Sequence, residues 1–186
     1  ISFENRIHDF DDLVAVKTKT SFEKDASKTI ISRNFSPNLP FDRSINPYKG
    51  CEHGCVYCFA RPTHAYLGLS PGLDFESRIF YKPNGASLLK KRIMQIKLCL
   101  PINRFGHQYR PLSTHRKKLR VTRNILKVLS AFNHPALIVT KSGLIERDLE
   151  ILVPIAQKGL LRVFISVTTL KKELANKLEP RATEPS

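Results

Sequence analysis

Three cysteines fall within eight residues, Cys51-Glu-His-Gly-Cys55-Val-Tyr-Cys58. The spacing C-x3-C-x2-C brings three soft thiolates to one metal centre. Gly50 and Gly54 let the backbone wrap tightly and aim amides at sulfur. Three readings compete on these residues alone. Disulfides use cysteines in pairs and would have to recruit Cys99. A zinc site needs a fourth ligand, which His53, His64 or Cys99 could supply, yet no second CxxC or HxxH pair is present. A [4Fe-4S] cubane held by three cysteines keeps one iron open, and an open iron does chemistry as well as holding structure. Outside a metal site, His53 and His64 read as ordinary loop histidines.

Cys51, Cys55, Tyr57 and Cys58 match the pattern CxxxCxφC with an aromatic at φ. On this motif the chain resembles the radical S-adenosylmethionine (radical SAM) superfamily. The segment Phe41–Phe75, FDRSINPYKGCEHGCVYCFARPTHAYLGLSPGLDF, is similar to a bacterial subgroup related to spore photoproduct lyase and often labelled "DNA repair photolyase". The likeness covers about Thr29–Lys91 and Arg116–Pro180.

The resemblance implies that Cys51, Cys55 and Cys58 hold three irons of a [4Fe-4S] cluster, while S-adenosyl-L-methionine chelates the fourth. A one-electron reductant such as flavodoxin or ferredoxin would supply the electron. The S–C5′ bond then breaks to methionine and a 5′-deoxyadenosyl radical, which abstracts a hydrogen from the substrate. The protein orients these pieces and excludes water and oxygen. Tyr57 would lie against the adenine. Lys141 (IVTKS) and Ser166 (ISVTT) look like a lysine and a serine that help hold the cofactor in spore photoproduct lyase. Glu179-Pro180-Arg181 resembles a family position near the cofactor, with a plain helix-ending loop as the alternative. The substrate is unknown; lesion repair in DNA is suggested by the family label alone.

These groups lie far apart in sequence, so the elements between them must bring them together. Residues 1–28 are polar and poorly periodic and read as a loose N-terminal arm; residues 29–186 read as the core. Thr29–Arg33 suits a short strand. Residues 34–50, with Pro37, Pro40 and Pro47, suit an extended loop. Arg116–Phe132 reads as a helix with Leu119, Ile125, Leu126, Leu129 and Phe132 on one face. Pro135–Thr140 and Leu160–Val167 read as buried strands. Between them Ile145–Lys158 reads as a helix with Ile145, Leu149, Leu152, Val153 and Ala156 inward and Gly159 as its stop. Thr169 could cap a last helix over Leu170–Leu178, stopped by Pro180.

Alternating helices and strands predict an α/β fold with parallel strands. The resemblance narrows this to the N-terminal part of a partial (β/α)6 radical SAM barrel, roughly its first four units, with the remaining strands missing. Such a barrel is incomplete: it has an unpaired edge and an open core, so the chain alone is expected to be unstable and inactive. The start at Ile1 suggests a fragment or a processed product.

The 186 residues are 41% hydrophobic, enough for a sizeable core, and no apolar run is long enough to span a bilayer. No membrane partner and a cytoplasmic location are expected. Four cysteines are too few for a disulfide scaffold. The formal charge is +15, from 31 basic and 16 acidic side chains. All of it lies between Ser77 and Ile145, a stretch without one Asp or Glu. A polyanionic partner such as nucleic acid fits this, although soluble surfaces ordinarily mix both signs.

The resemblance also fails inside that stretch, between about Arg92 and Ser113. Related sequences carry Leu-Gly-Thr-Asn-Thr-Asp-Pro-Tyr-Gln-Pro where this chain has Phe105–Thr114, FGHQYRPLST. A choice of synonymous codons, TTT GGG CAC CAA TAC CGA CCC TTA TCA ACC, encodes the observed residues. Read one nucleotide later they give the family residues, the last Pro borrowing a base from the codon of His115. The same shift turns Arg92-Ile93 into Glu-Leu. A frame change near Arg92, undone near Thr114, is therefore expected, with a divergent basic loop specific to this protein as the alternative. Arg92, Lys97, Cys99, Arg104 and Arg110 would be its products, and a cofactor-binding edge would be lost. Two other function classes stand beside the enzyme: a zinc-bound nucleic-acid-binding module and an inactive remnant of a decayed gene.

Overall fold

The computed structural model describes residues 19–33, 35, 37, 41–96 and 119–183. They form an α/β arrangement of three small sheets with helices packed against them. In the first sheet, Ser21–Lys24 (β1) and Tyr48–Lys49 (β4) flank Arg78–Tyr81 (β5). β1 runs parallel to β5 with Phe22 opposite Ile79, and β4 runs antiparallel to it. Ile31–Arg33 (β2) and Arg43–Ile45 (β3) form an antiparallel pair. Ala136–Thr140 (β6) and Leu161–Ile165 (β7) form a parallel pair with Ile138 opposite Val163.

A parallel pair needs a crossover. Here it is a 3-10 segment, Gly143–Asp148, followed by the helix Leu149–Gln157, α4. The other helices are Leu73–Ser77 (α1), Gly85–Ile96 (α2), Val121–Ala131 (α3) and Lys172–Leu178 (α5). α2 packs on α3, and α3 on α4. Ile45, Ile79, Leu89, Ile125, Leu126, Leu129, Ile138 and Leu152 form the heart of one continuous core. Asp148 is buried at the crossover, where Arg123 donates to it at 2.8 Å.

Several sequence expectations change. The arm 1–28 is not wholly loose, because residues 21–24 are β1, paired to β5 across 57 positions of sequence. The extended loop 34–50 contains β3 and β4. The helix expected over Arg116–Phe132 is continuous from Val121, with Arg116–Lys118 outside the described residues; Ile125, Leu126 and Leu129 are buried as expected, while Phe132 is exposed. The helix expected over Ile145–Lys158 begins as a 3-10 segment. Three residues per turn instead of 3.6 change the phase of every later side chain. The core therefore takes Ile151, Leu152 and Ile155, whereas Leu149 and Val153 face outward. α4 is apolar on both sides, so periodicity did not fix which side is inside.

The strand expected to be buried over Leu160–Val167 is largely exposed: Ile165 is 66% and Val167 58% accessible. β7 pairs only with β6 among the described residues, so its second edge lacks a neighbour there. The described strands close no barrel. Of the stretch with the proposed frame change, Arg92 and Ile93 lie in α2, and residues 97–113, Cys99 included, fall outside the described residues. No helix among the described residues is long and apolar enough to cross a membrane.

An open apolar edge is a template for pairing with another chain. Val163, Phe164, Ile165, Val167 and Leu170 all expose large apolar surface at or just after β7. The protein is therefore expected to self-associate with rising concentration. Ile165→Lys should shift static light scattering towards monomer, because a lysine on an edge opposes strand addition. Unchanged scattering would mean that association uses another surface.

Candidate metal centre and cofactor pocket

The cysteine loop follows β4 directly. Gly50 has φ +86° and Gly54 φ +71°, both in the left-handed region that side chains disfavour. Cys51 N–H donates to the Phe75 carbonyl at 2.9 Å, fastening the start of the loop to α1. Val56 N–H donates to the Leu178 carbonyl at 3.1 Å, fastening its middle to α5. The loop then runs into two 3-10 turns, Arg61–Thr63 and Ala65–Leu67.

The three thiols share one cavity of about 390 Å³. Tyr57 lies on the same wall, and Lys141, Ser166 and Thr168 form the facing one. Cys55 is buried and Cys51 and Cys58 are half-buried. All three are free thiols, without a disulfide between them. Among the described residues no three His, Cys, Asp or Glu side chains are gathered closely enough to hold a metal ion. The loop must therefore draw its sulfurs inward to bind one. The donor set fits a cluster: three thiolates on one loop, opening on a cavity with room for a ligand on a fourth metal position.

The two histidines separate. His64 is fully buried, with its ring edge-on to Phe75 and Phe80 at 5.1 and 5.8 Å and Nε2 at 2.9 Å from the Arg78 carbonyl. It is a core residue that does not line the cavity. His53 does line it, next to the cysteines.

The facing wall is a connected polar cluster. Lys141 Nζ donates to Ser166 Oγ at 2.8 Å and to Thr168 Oγ1 at 3.2 Å, and it lies 2.7 Å from Glu179 Oε1. Tyr57 Oη is 2.8 Å from Thr168 Oγ1 and also donates to Glu179. The Lys141 ammonium sits 5.5 Å from the centre of the Tyr57 ring. Lys141 and Ser166, which follow β6 and β7 in the chain, are thus brought together beside Tyr57. Parallel pairing does this, since β6 and β7 end side by side, Thr140 opposite Ile165. Glu179, in the Glu179-Pro180-Arg181 run that resembles a family position near the cofactor, lies beside Lys141 and Tyr57, whereas Thr168 is not evident from sequence periodicity. A signal for Thr168 exists: in an extended chain it shares a face with Ser166, two residues before it.

Burial lowers the Lys141 amine below its ordinary value, against the opposing charges of Cys55 and Cys58. Burial raises the Glu179 carboxyl above its own. Burial thus costs both groups hydration that their contact does not fully replace. The Cys55 thiol is pushed up to about 11, first by burial, then by the neighbouring Glu179 and Cys51 charges, with Lys141 opposing.

A thiol held protonated at neutral pH must release its proton to bind metal. Uptake of cobalt(II) or zinc by the apo-protein should therefore strengthen with pH. Its slope should approach about tenfold per unit for each proton displaced, between pH 6 and 9. A flat titration would show that binding displaces no thiol proton and so does not use the cysteines.

No family model matches the chain, and no solved structure matches it. Curated relatives do. An uncharacterized protein of Mycobacterium tuberculosis is 33% identical over 147 residues, covering 79% of this chain and 43% of its own length. An uncharacterized protein of Methanocaldococcus jannaschii is 27% identical over 136 residues, 73% of this chain and 48% of its own. An uncharacterized protein of Acidianus two-tailed virus is 30% identical over 148 residues, 76% of this chain and 47% of its own. The chain thus spans under half the length of each of these relatives.

Proposed function

We propose that this chain is the cluster- and cofactor-binding portion of a radical SAM enzyme, the N-terminal part of a partial (β/α)6 barrel. One observation carries the reading. Lys141 and Ser166, picked out in the sequence only by their likeness to cofactor-holding residues, meet at 2.8 Å on the wall facing the three cysteines.

In this reading Cys51, Cys55 and Cys58 hold a [4Fe-4S] cluster. Tyr57, Lys141 and Ser166 hold S-adenosyl-L-methionine. When bound, cluster and cofactor supply a 5′-deoxyadenosyl radical by one-electron cleavage of the sulfonium. The chain's own residues bind and orient. The Lys141 ammonium, fixed by Ser166, Thr168 and Glu179, offers a positive charge to a ligand carboxylate. Tyr57, held through its hydroxyl by Thr168 and Glu179, offers a ring face to a flat base. The setting would be cytoplasmic, with flavodoxin or ferredoxin as electron donor. Nucleic acid is a substrate class that the charge between Ser77 and Ile145 suits only modestly, since four of its fifteen net charges fall in the stretch of the proposed frame change.

Anaerobic reconstitution with iron and sulfide tests the reading. The full chain should turn brown, and S-adenosylmethionine should change the electron paramagnetic resonance spectrum of the reduced cluster. Because the chain spans under half of its relatives, the readout is binding and not turnover. A second reading, a zinc-bound nucleic-acid-binding module, is favoured by His53, which shares the cavity with the cysteines and would complete a Cys3His set. One tight zinc per chain with no iron–sulfur absorbance would decide for it. The reading of the gene as a decayed remnant, with a frame change between Arg92 and Thr114, is decided by its nucleotide sequence: codons that cannot encode the family residues one base later exclude the frame change.

A further inference from the structure

Glu76, near the end of α1, lies between two arginines that approach the cysteine loop from opposite ends of the sequence. Arg61 Nη2 binds its Oε1 at 2.5 Å, and Arg181 Nη2 donates to its Oε2. Each arginine also holds a carbonyl of the loop. Arg61 donates to the Cys55 carbonyl through Nε at 3.1 Å and Nη2 at 3.0 Å. Arg181 donates to the Glu52 carbonyl through Nε, and its own backbone N–H donates to the His53 carbonyl at 3.1 Å. One carboxylate thus fixes two guanidinium planes, and these fix the backbone on both sides of Gly54. A Cβ on Gly54 would lie 2.5 Å from Arg181 Nη2, so the loop and the arginine are in close contact. The side chains of Glu76 and Arg61 are less than one-fifth exposed, so their charge-assisted bond is only weakly screened, whereas the Arg181 side chain is 44% exposed and its arm is screened more.

We propose that Arg61, Glu76 and Arg181 form a clamp that sets the shape of the cysteine loop, with Glu76 as the positioning residue at its centre. The inference rests on the cluster reading above, since the shape it sets is the one that turns three thiols towards one cavity. Both arginines bind the loop through its carbonyls, and none of these hydrogen bonds uses a sulfur, so the thiols remain available to metal. The clamp also ties the chain after α5 to the loop, so the wall carrying Glu179 and the wall carrying the cysteines keep a fixed spacing.

The test uses the full chain and has two readouts. The first is peptide-resolved alkylation of Cys55 in the apo-protein, which needs no cluster. Glu76→Ala should speed it by at least about tenfold, the equivalent of losing one charge-assisted hydrogen bond. Glu173→Ala, on the exposed side of α5, should leave it unchanged. The second is the reconstituted cluster. Glu76→Ala and Arg181→Ala should both shift its paramagnetic spectrum and speed iron loss to a chelator about tenfold, the scale of outer-shell losses at metal sites. Glu76→Gln, which keeps an acceptor oxygen, should fall between. If Glu76→Ala does not fold, Arg181→Lys keeps the charge but cannot bridge Glu76 and Glu52, and should give the same faster alkylation. Equal alkylation in wild type and in a folded Glu76→Ala or Arg181→Lys overturns the clamp. A wild-type chain that takes up no iron overturns the cluster reading instead, and Cys55 alkylation still judges the clamp.

Discussion

Replacing any one of Cys51, Cys55 and Cys58 by alanine should reduce reconstituted iron to background. A cubane with one open iron has no protein ligand to spare: two thiolates leave two irons without a protein anchor. Outer-shell changes at metal sites already cost about 10–100-fold in affinity, so losing a direct thiolate should exceed the upper end of that range. The same substitutions should hardly alter the apo-fold, because Cys51 and Cys58 are half-buried and Cys55 sits on a loop wall outside the main core. Melting temperature and iron content should therefore separate. Two controls sharpen the result. Cys99→Ala should keep the full iron content, since three cysteines suffice. His53→Ala should also keep it, yet should weaken zinc binding if a Cys3His site is the correct description. A Cys58→Ala chain that still assembles a cluster with an unchanged spectrum would remove the central assignment. Loss of zinc binding in His53→Ala, with no cluster in the wild type, would pass the site to the zinc reading.

The sequence was most readable where chemistry is local. The cysteine loop is contiguous, and its glycines sit where the chain turns. Lys141 and Ser166 follow short apolar runs whose parallel pairing could be expected from the helix between them, and that pairing sets them 2.8 Å apart. What was not readable is what depends on distant partners. Ser21–Lys24, with Phe22 its one apolar residue, is too short and mixed to announce a strand; it becomes one because Arg78–Tyr81 offers a parallel edge. Arg61 and Glu76 look like ordinary surface charges, and Arg181 stands out only through the resemblance, until α5 brings residue 181 back to the loop. α4 was misread for a different reason: it is apolar on two faces, and the 3-10 turn before it decides which face meets the core. β7 was misread because a run such as Leu-Arg-Val-Phe-Ile describes a buried strand equally well whether or not a neighbour stands on its far side. Local pattern fixes the type of an element; burial follows from what is packed against it.

Gly50→Ala should be the most damaging added methyl group among the described glycines, and the structure contains its own controls. A Cβ at Gly50 would stand 2.9 Å from the Phe75 carbonyl oxygen, 3.1 Å from that of Arg78 and 2.9 Å from Ile79 Cδ1. Two of these are backbone atoms, held by α1 and β5, and the third belongs to a side chain that is completely buried. None can rotate away. The φ of +86° adds the cost of placing an L side chain in left-handed backbone, about 1–2 kcal/mol. Gly68 and Gly159 share that backbone state, with φ +69° and +70°, but a Cβ on either meets nothing within 4 Å. Gly68→Ala and Gly159→Ala therefore measure the backbone cost alone. Urea unfolding should show each losing about 1–2 kcal/mol. Gly50→Ala should lose at least about 2 kcal/mol more, in the range of overpacked sites that cannot relax. Its second effect is on the site. The only relief for the clash is to move residue 50 away from α1 and β5, and Cys51 moves with it, breaking its 2.9 Å bond to the Phe75 carbonyl. Gly50→Ala should thus lose cluster assembly even under conditions where most chains remain folded, whereas Gly68→Ala and Gly159→Ala should keep it. Equal losses of stability in all three variants would mean that Gly50 is required for its backbone angle only, and that the loop is not wedged against the sheet that carries it.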